Sequence, residues 1–582
     1  MKLKDFFLNI FTVTKIVKVI PTIFLQLKVA TSIILIYSSI SFAQETFKDG
    51  IGLIQAVQTT LTNHPTILIQ THEVEKQKGN WQFTKGEFDA TLKTSISHSH
   101  EEATLSSEEG MSIAKEQESD TLLTKVDISK KFRSGMTIVP SVQLNRTDKS
   151  IHPGNAVLSF PPVNEARIDF TILMPLMKGR GAKAAAANEM YAQKGYEISI
   201  DKLRHTISEQ IFNAAAAYWS YLAANKALMQ IKRSEARAKA FVKETKTFII
   251  AGNRPESDLD QTIANLADKN IARISGEQNL LEQRQNLGIA MWLSLDKIRS
   301  LPKPSDTFLR IEYNEISDLM AKADELIKLS LKKRKDYLVS KKQQNQQKIM
   351  IEKAKNNLRA QLDLQFNIGY SGLYERTNYL TYFAPITENI PGTNIGISLN
   401  CTLPFKNNSA KGLLLQQKSD YMQRLISAKD LAKNISSNVI TAISKLKNSC
   451  KELSKAQESV DSYLSSVKNE KKKVQLGTST LIDLIQIEDR LTNALLKKIS
   501  IQQKLCVALL RLRFETGTIL SEKQKTISIG IKELTTIPLS DIGSKKPHDI
   551  KQDQPPVETE KSIVPFLNNY DSLHFGFILK FL

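Results

Sequence analysis

Two stretches of this chain read as helices of unusual length. Ala182–Ile250 contains no Pro and a single Gly, Gly195; Ser409–Gln475 contains no Pro and a single Gly, Gly412. Pro would remove a helical hydrogen bond and clash with the preceding turn, so its absence permits one continuous helix over each span. At a rise of 1.5 Å per residue each run extends on the order of 100 Å, far beyond the helices of an ordinary globular domain. Each stops at a Gly, Gly252 or Gly477, and helical spacing resumes over Ser257–Leu295 and Thr480–Phe514. The two Gly therefore read as tips of helical hairpins, where a left-handed residue caps the first helix. Ala-rich faces (Ala184–Ala187, Ala214–Ala217, Ala223, Ala224) allow neighbouring helices to approach closely.

The hairpins follow one plan used twice. Ala251-Gly252-Asn253-Arg254-Pro255-Glu256-Ser257-Asp258-Leu259-Asp260-Gln261 aligns with Leu476-Gly477-Thr478-Ser479-Thr480-Leu481-Ile482-Asp483-Leu484-Ile485-Gln486, with Gly, Asp, Leu and Gln in register. Upstream, Ile168–Pro175 echoes Ile397–Pro404, and Lys85, Phe88, Ala90 and Leu92 echo Lys355, Leu358, Ala360 and Leu362. Such a unit is much longer than the roughly 20–50-residue period of solenoids. Pro302 and Pro304 mark the linker between the halves. Each half opens with helical spacing, over Ile51–Phe83 (broken at Asn63-His64-Pro65) and Ile316–Ala360.

Between the opening helix and the long helix, the period changes to two. Leu92, Thr94 and Ile96 alternate with Lys93, Ser95 and Ser97; Ile168, Phe170 and Ile172 alternate with Asp169 and Thr171. The second half repeats this over Leu362–Tyr370 and Ile395–Leu403. Period two puts one set on each face of a strand. One apolar and one polar face fits a water-filled barrel in lipid, and equally a soluble sheet with one side buried. Pro175 and Pro404 each end a strand, where a missing N–H is tolerated, and lead into the long helices. The connection Ser371–Thr393 joins the second strand pair. A longer one, His98–Glu165, joins the first and contains a further hairpin pattern, Lys125–Phe132 and Met136–Leu144, around Ser134-Gly135.

The ends narrow the choice. Lys2, Lys4, Lys15, Lys18 and Lys28 precede an apolar stretch, Val29–Tyr37, and then Ser41-Phe42-Ala43. That order predicts a secretory signal peptide cleaved after Ala43, so that the mature chain begins at Gln44 without a lipidated Cys. Cys401, Cys450 and Cys506 are odd in number and widely spaced, which predicts neither a disulfide framework nor a metal site. The net charge is +20. Its Lys residues are spread along helical faces among Glu and Asp, which argues for solvated surfaces and against a nucleic-acid partner. His98 and His100 share a strand face, but no Cys or further His stands near them in the sequence, so no metal or other cofactor is expected. There is no catalytic constellation and no phosphate-cradling loop, so the chain is expected not to be an enzyme. The tail 521–582, with Pro538, Pro547, Pro555 and Pro556 among polar residues, is expected to be disordered.

Helix, strand pair, long helix, tip and return helix, all repeated, resemble the TolC-like outer-membrane efflux protein family over about Phe47 to Leu520. Gly477-Thr478-Ser479-Thr480-Leu481-Ile482-Asp483-Leu484 is similar to that family's second periplasmic-tip motif. Pro175-Leu176 and Leu403-Pro404-Phe405 are similar to its strand-to-helix junctions. The resemblance implies an α+β membrane protein in the outer membrane, with a large periplasmic portion. Its long antiparallel helical hairpins would form a periplasmic α-barrel, continuous with a trimeric transmembrane β-barrel and carrying an internal two-fold repeat. Residues 44–305 and 306–520 would be the two repeats. Four strands per protomer would close one barrel among three copies, and the tunnel would dock on a periplasmic membrane-fusion adaptor and an inner-membrane transporter. The exported cargo would be small molecules or proteins. The resemblance also implies roles at the tip. Asp483 matches one position of an acidic ring whose second position is Gln486 here. Asp258 matches a closing network whose usual partners correspond to Val474 and Ser479, which cannot supply the same bonds. The competing reading for Asp258 and Asp483 is helix N-terminal charge stabilisation. The rival architecture is a periplasmic coiled-coil adaptor, which needs only one hairpin and a compact β-domain.

Overall fold

The computed structural model describes Gly50–Pro538 apart from 105–113, 154–156, 253–254, 312–315, 376–378, 387–391, 524–525 and 529. The expected signal peptide, its cleavage after Ala43 and most of the expected tail lie outside the described residues.

The chain opens with α1 (Leu53–Asn63) and α2 (Pro65–Lys85). His64, extended at φ −67° and ψ 123°, separates them, and Pro65 starts α2 at the position where its missing N–H costs nothing. Strands β1 (Ala90–Thr104), β2 (Ala114–Lys131), β3 (Thr137–Pro153), β4 (Leu158–Ser159) and β5 (Val163–Pro175) follow, then α3 (Ala187–Ile250) and α4 (Ser257–Ala290). The second half runs α5 (Ala323–Lys333), α6 (Lys335–Asn357), β6 (Gln361–Glu375), β7 (Gly392–Thr402), α7 (Asn408–Gln475) and α8 (Leu481–Glu515). The break between α5 and α6 lacks a proline. Arg334 takes nearly the same backbone geometry there, φ −64° and ψ 122°. Its guanidinium is held by Asp336 at 2.6 Å and by the buried Glu515 at the end of α8.

All long strands belong to one antiparallel sheet, ordered β1-β2-β3-β5-β6-β7, with β4 beside β3. The hairpin expected within the connection His98–Glu165 is present, and its strands run well beyond the expected Lys125–Leu144. The connection continues β1 to Thr104 and supplies β2, β3 and β4. The reason is physical: a ladder is held by backbone hydrogen bonds and persists where side chains turn polar, whereas a hydrophobic alternation fades there. Ser371–Thr393 is likewise not all loop. β6 runs to Glu375, a 3-10 turn covers Tyr379–Ile386, and β7 begins at Gly392.

Cross-strand register gathers most apolar residues of the lower and middle rows on one face of the sheet, which also carries Lys130 between Ala90 and Ile138 and, in its upper rows, His98, His100 and Arg146. Leu92 faces Ile128; Val126 faces Val142; Val142 faces Ile168. Ile138 faces Ile172, Ile172 faces Phe366, and Phe366 faces Ile397. The opposite face carries Lys93, Asp127, Ser141, Asp169, Gln365, Asn367 and Ser398 in the same rows. Many apolar residues of the first face are exposed, with Leu92, Ile96, Ile395, Ile397 and Leu399 each more than 60% accessible, whereas Leu144 and Ala166 on the same face are buried.

The buried core lies among the helices. α3 packs against α1, α2, α4, α6 and α8, and α7 against α5, α6 and α8. Tyr218, Trp219, Leu222 and Leu287 are fully buried in the first half. In the second, Leu326, Ile435, Val439, Ile443, Leu446, Leu505, Leu509 and Leu512 form one cluster. A further correction concerns the chain after Leu520. Residues 521–523 pair with 526–528, and α9 (Ile531–Thr535) buries Leu534 completely. Arg513 of α8 donates to the Thr536 carbonyl at 2.7 Å and to its hydroxyl at 2.7 Å. The ordered body therefore extends through Pro538, because Leu534, the partly buried Ile537 and the two bonds to Arg513 anchor the segment.

Candidate functional site at the helix tips

Both long helices stop at a left-handed Gly. Gly252 has φ +75° and Gly477 φ +72°, and no atom lies within 4 Å of where a Cβ would stand on either. At the second tip the Gly477 N–H donates to the Val474 carbonyl (3.2 Å), and the Thr478 N–H donates to the Lys473 carbonyl (2.9 Å). These two bonds together form a Schellman cap on α7. At the first tip the Gly252 N–H donates to the Ile249 carbonyl at 2.9 Å.

Thr480 starts α8 with a capping box. Its hydroxyl accepts from the Asp483 N–H at 3.2 Å, and the Asp483 carboxylate accepts from the Thr480 hydroxyl at 2.6 Å and the Thr480 N–H at 3.3 Å. The Thr480 hydroxyl foremost, helped by its N–H and by Ser479, holds the Asp483 carboxyl below the ordinary aspartate value. Asp483 is exposed, and so is Gln486 one turn further along. A second acid joins it. Glu470, in the last turns of α7, accepts from the Ser479 hydroxyl and pairs with Lys473 at 3.2 Å. The Ser479 bond, then Lys473, holds Glu470 below its ordinary value, against the like charge of Asp483. Glu470 had no distinguishing signal in the sequence, where it sits in a Lys-rich run.

Asp258 stands in the first turn of α4, half-buried. Its two positions of interest are committed elsewhere. Val474 packs against the cluster of Phe241, Leu481 and Leu484, and Ser479 bonds Glu470 and Asp483. Asp258 and Asp483 thus both occupy first turns, where a carboxylate is favoured by the helix dipole.

What joins the two hairpins is a set of residues the sequence did not single out. Phe241 of α3 packs under Leu481 and Leu484 of α8. Arg237 donates to Glu488 at 2.8 Å and to the Thr492 hydroxyl at 3.0 Å. Lys269 of α4 pairs with Asp489 at 2.7 Å. Within the first hairpin, Glu235 binds Lys239 (2.7 Å) and Arg273 (3.3 Å), while Glu277 binds Lys232 (3.0 Å).

The strand-to-helix junctions are built similarly on both sides. Pro175 ends β5, and the chain beyond it still follows β6, the Leu176 N–H donating to Leu362 and the Lys178 N–H to Ala360. Gly179 (φ +84°) then donates its N–H to the Asn356 side chain at 2.7 Å. After β7, Pro404 leads to Asn407, which takes the left-handed region (φ 49°) and donates from its side chain to the Leu358 carbonyl at 3.1 Å.

No protein-family model matches this chain, and no curated protein does. Solved structures do match. The Campylobacter jejuni CmeC outer membrane channel shares 14% identity at a TM-score of 0.56, over 80% of this chain and 85% of that one. The Vibrio cholerae outer membrane protein VceC shares 11% at 0.56, over 80% and 96%. The open-state Neisseria gonorrhoeae MtrE outer membrane channel shares 13% at 0.53, over 80% and 88%. At these identities the likeness is one of fold, and the fold is that of TolC-type outer-membrane channels.

Proposed function

We propose that this chain, having the fold of outer-membrane channels, is itself the outer-membrane exit duct of an export machine, serving either a tripartite efflux pump or a type I secretion system. The single observation that carries this reading is that the lower and middle rows of every long strand set mostly apolar residues on one face and mostly polar ones on the other, in register from β1 to β7. A contiguous exposed apolar surface marks a protein or membrane contact, and a polar opposite face is what a water-filled lumen requires. Among the described residues β1 and β7 leave unpaired edges, which lipid does not tolerate, so closure must come from other copies of the chain. A homotrimer, as the resemblance implies, supplies it. Helices on the order of 100 Å long would carry the lumen across the periplasm to an adaptor and an inner-membrane transporter. The duct would perform no chemistry.

At the tip, three copies of Asp483, supported by Glu470, would form a ring of carboxylates that attracts cations. Gln486 in place of a second acid makes that ring sparser. With Val474 and Ser479 occupied elsewhere, the closed state would rest on the Arg237–Glu488 and Lys269–Asp489 pairs, which hold the hairpins of one protomer together. Membrane fractionation tests the reading. A heat-modifiable trimer in the outer-membrane fraction is expected, whereas a soluble periplasmic protein would favour the coiled-coil adaptor instead.

A further inference from the structure

The hairpin β2–β3 begins at the level where helices become strands. Its turn, Phe132–Met136, is locked to both junctions of the first half. Gly135 (φ +94°) passes so close that an added Cβ would lie 2.4 Å from the Gly179 carbonyl oxygen and 3.0 Å from Pro175. The Gly181 N–H donates to the Ser134 carbonyl at 2.8 Å. Arg133 forks onto Glu189 of α3 at 2.6 and 2.8 Å and lies over the Phe88 ring. Lys131 pairs with Glu87 at 2.6 Å. Further up, Tyr382 from the β6–β7 connection has its hydroxyl 3.0 Å from both the Thr124 hydroxyl and the Leu144 carbonyl, clipping that connection onto the hairpin.

The hairpin also continues the sheet's two faces. Ile128, Val126, Ile138 and Val142 extend the apolar rows of β1 and β5, while Lys125, Asp127, Ser141 and Gln143 extend the polar ones. An appendage lying outside the wall would need neither. Widths agree too. α2, α3, α6 and α7, which lead into or out of β1, β5, β6 and β7, pack in that order. Four helices at about 8–10 Å spacing cover roughly 32–40 Å of wall. Strands about 4.8 Å apart and tilted about 40° each cover roughly 6 Å, so six cover close to 38 Å and four only about 25 Å.

We propose that β2–β3 is a structural part of the barrel wall, so that each copy contributes six strands. Resting on the trimeric channel reading, this gives a barrel of eighteen strands in place of the twelve the resemblance implies. Because barrel diameter grows roughly linearly with strand number, the lumen is about 1.5-fold wider and about twofold larger in cross-section. It would admit cargo of correspondingly greater girth.

The test is a threefold-averaged electron cryo-microscopy reconstruction of the full chain in lipid nanodiscs. Eighteen strands with β2–β3 between β1 and β5 are expected. A twelve-stranded barrel with the hairpin folded outside it overturns the proposal and leaves the channel reading standing. No barrel at all removes both. Thiol labelling gives an independent readout in the reconstituted trimer, on a Cys401→Ser background. Gln143→Cys should react with a charged, membrane-impermeant reagent and lose conductance, whereas Val142→Cys should resist it. Equal reaction at both positions with no change in current would overturn the assignment.

Discussion

Phe170→Arg should cripple assembly while its neighbour Thr171→Arg should not. The apolar side of β5 runs from Met174 to Ala166, with Phe170 at its middle. At about 3.4 Å per residue and a tilt of about 40°, that run rises roughly 21 Å, close to the ~25 Å apolar band of outer-membrane barrels. Phe170 therefore lies near the bilayer midplane, where Arg costs about 2–4 kcal/mol. The change occurs in every copy, so a trimer bears roughly 6–12 kcal/mol, and even one copy's cost is a factor of roughly 30 to 900 in an insertion equilibrium. Thr171 faces the polar row with Asn367 and Val139 as its cross-strand partners, so Arg there should change stability by no more than about 0.5 kcal/mol. The assay is urea titration of refolding into lipid vesicles, alongside the yield of heat-modifiable oligomer in outer membranes. Equal tolerance of both substitutions would refute the assignment of faces, and with it the argument from register.

Further outcomes follow from the tip, the junction and the core. Asp483→Asn should lower cation selectivity in the reconstituted pore. Because the Asp483 pKa is depressed, wild-type selectivity should persist as pH falls through the ordinary aspartate range and fade only below it; unchanged selectivity in the variant would leave Asp483 a helix-capping residue alone. Gly477→Ala meets open space, so only its left-handed backbone resists, at about 1 kcal/mol. Gly135→Ala meets the Gly179 carbonyl as well and should destabilise by more, which comparative denaturation of the two variants measures. Leu509→Ala, in the fully buried second-half cluster, should cost about 2–5 kcal/mol and lower the midpoint of helical unfolding seen by circular dichroism.

The sequence carried the helices plainly. Pro-free runs, left-handed Gly tips and the proline at the end of β5 are local signals, each enforced by backbone sterics. The hairpin β2–β3 was only half legible. Its lower rows alternate, but its upper rows pair His100 with Asp120 and Glu102 with Glu118, and charged pairs carry no hydrophobic period. The capping box at Thr480 and Asp483 is a short-range pattern and could be read as such. Arg237 and Glu488 could not, because helical spacing says which face a residue occupies and nothing about which distant face it meets. Nor could Glu470, whose neighbours make it look like any solvated acid. The packing of residues 521–538 was hidden for the same reason: its scattered apolar residues, Leu534 among them, show no period that says which distant surface they meet.

Single-channel recording of the purified full chain in planar bilayers should show stable ohmic conductance steps, with reversal potentials favouring cations, from a trimer that loses both on heating to monomers. A folded trimer that inserts into the bilayer yet passes no ions under any voltage or pH would contradict the channel reading.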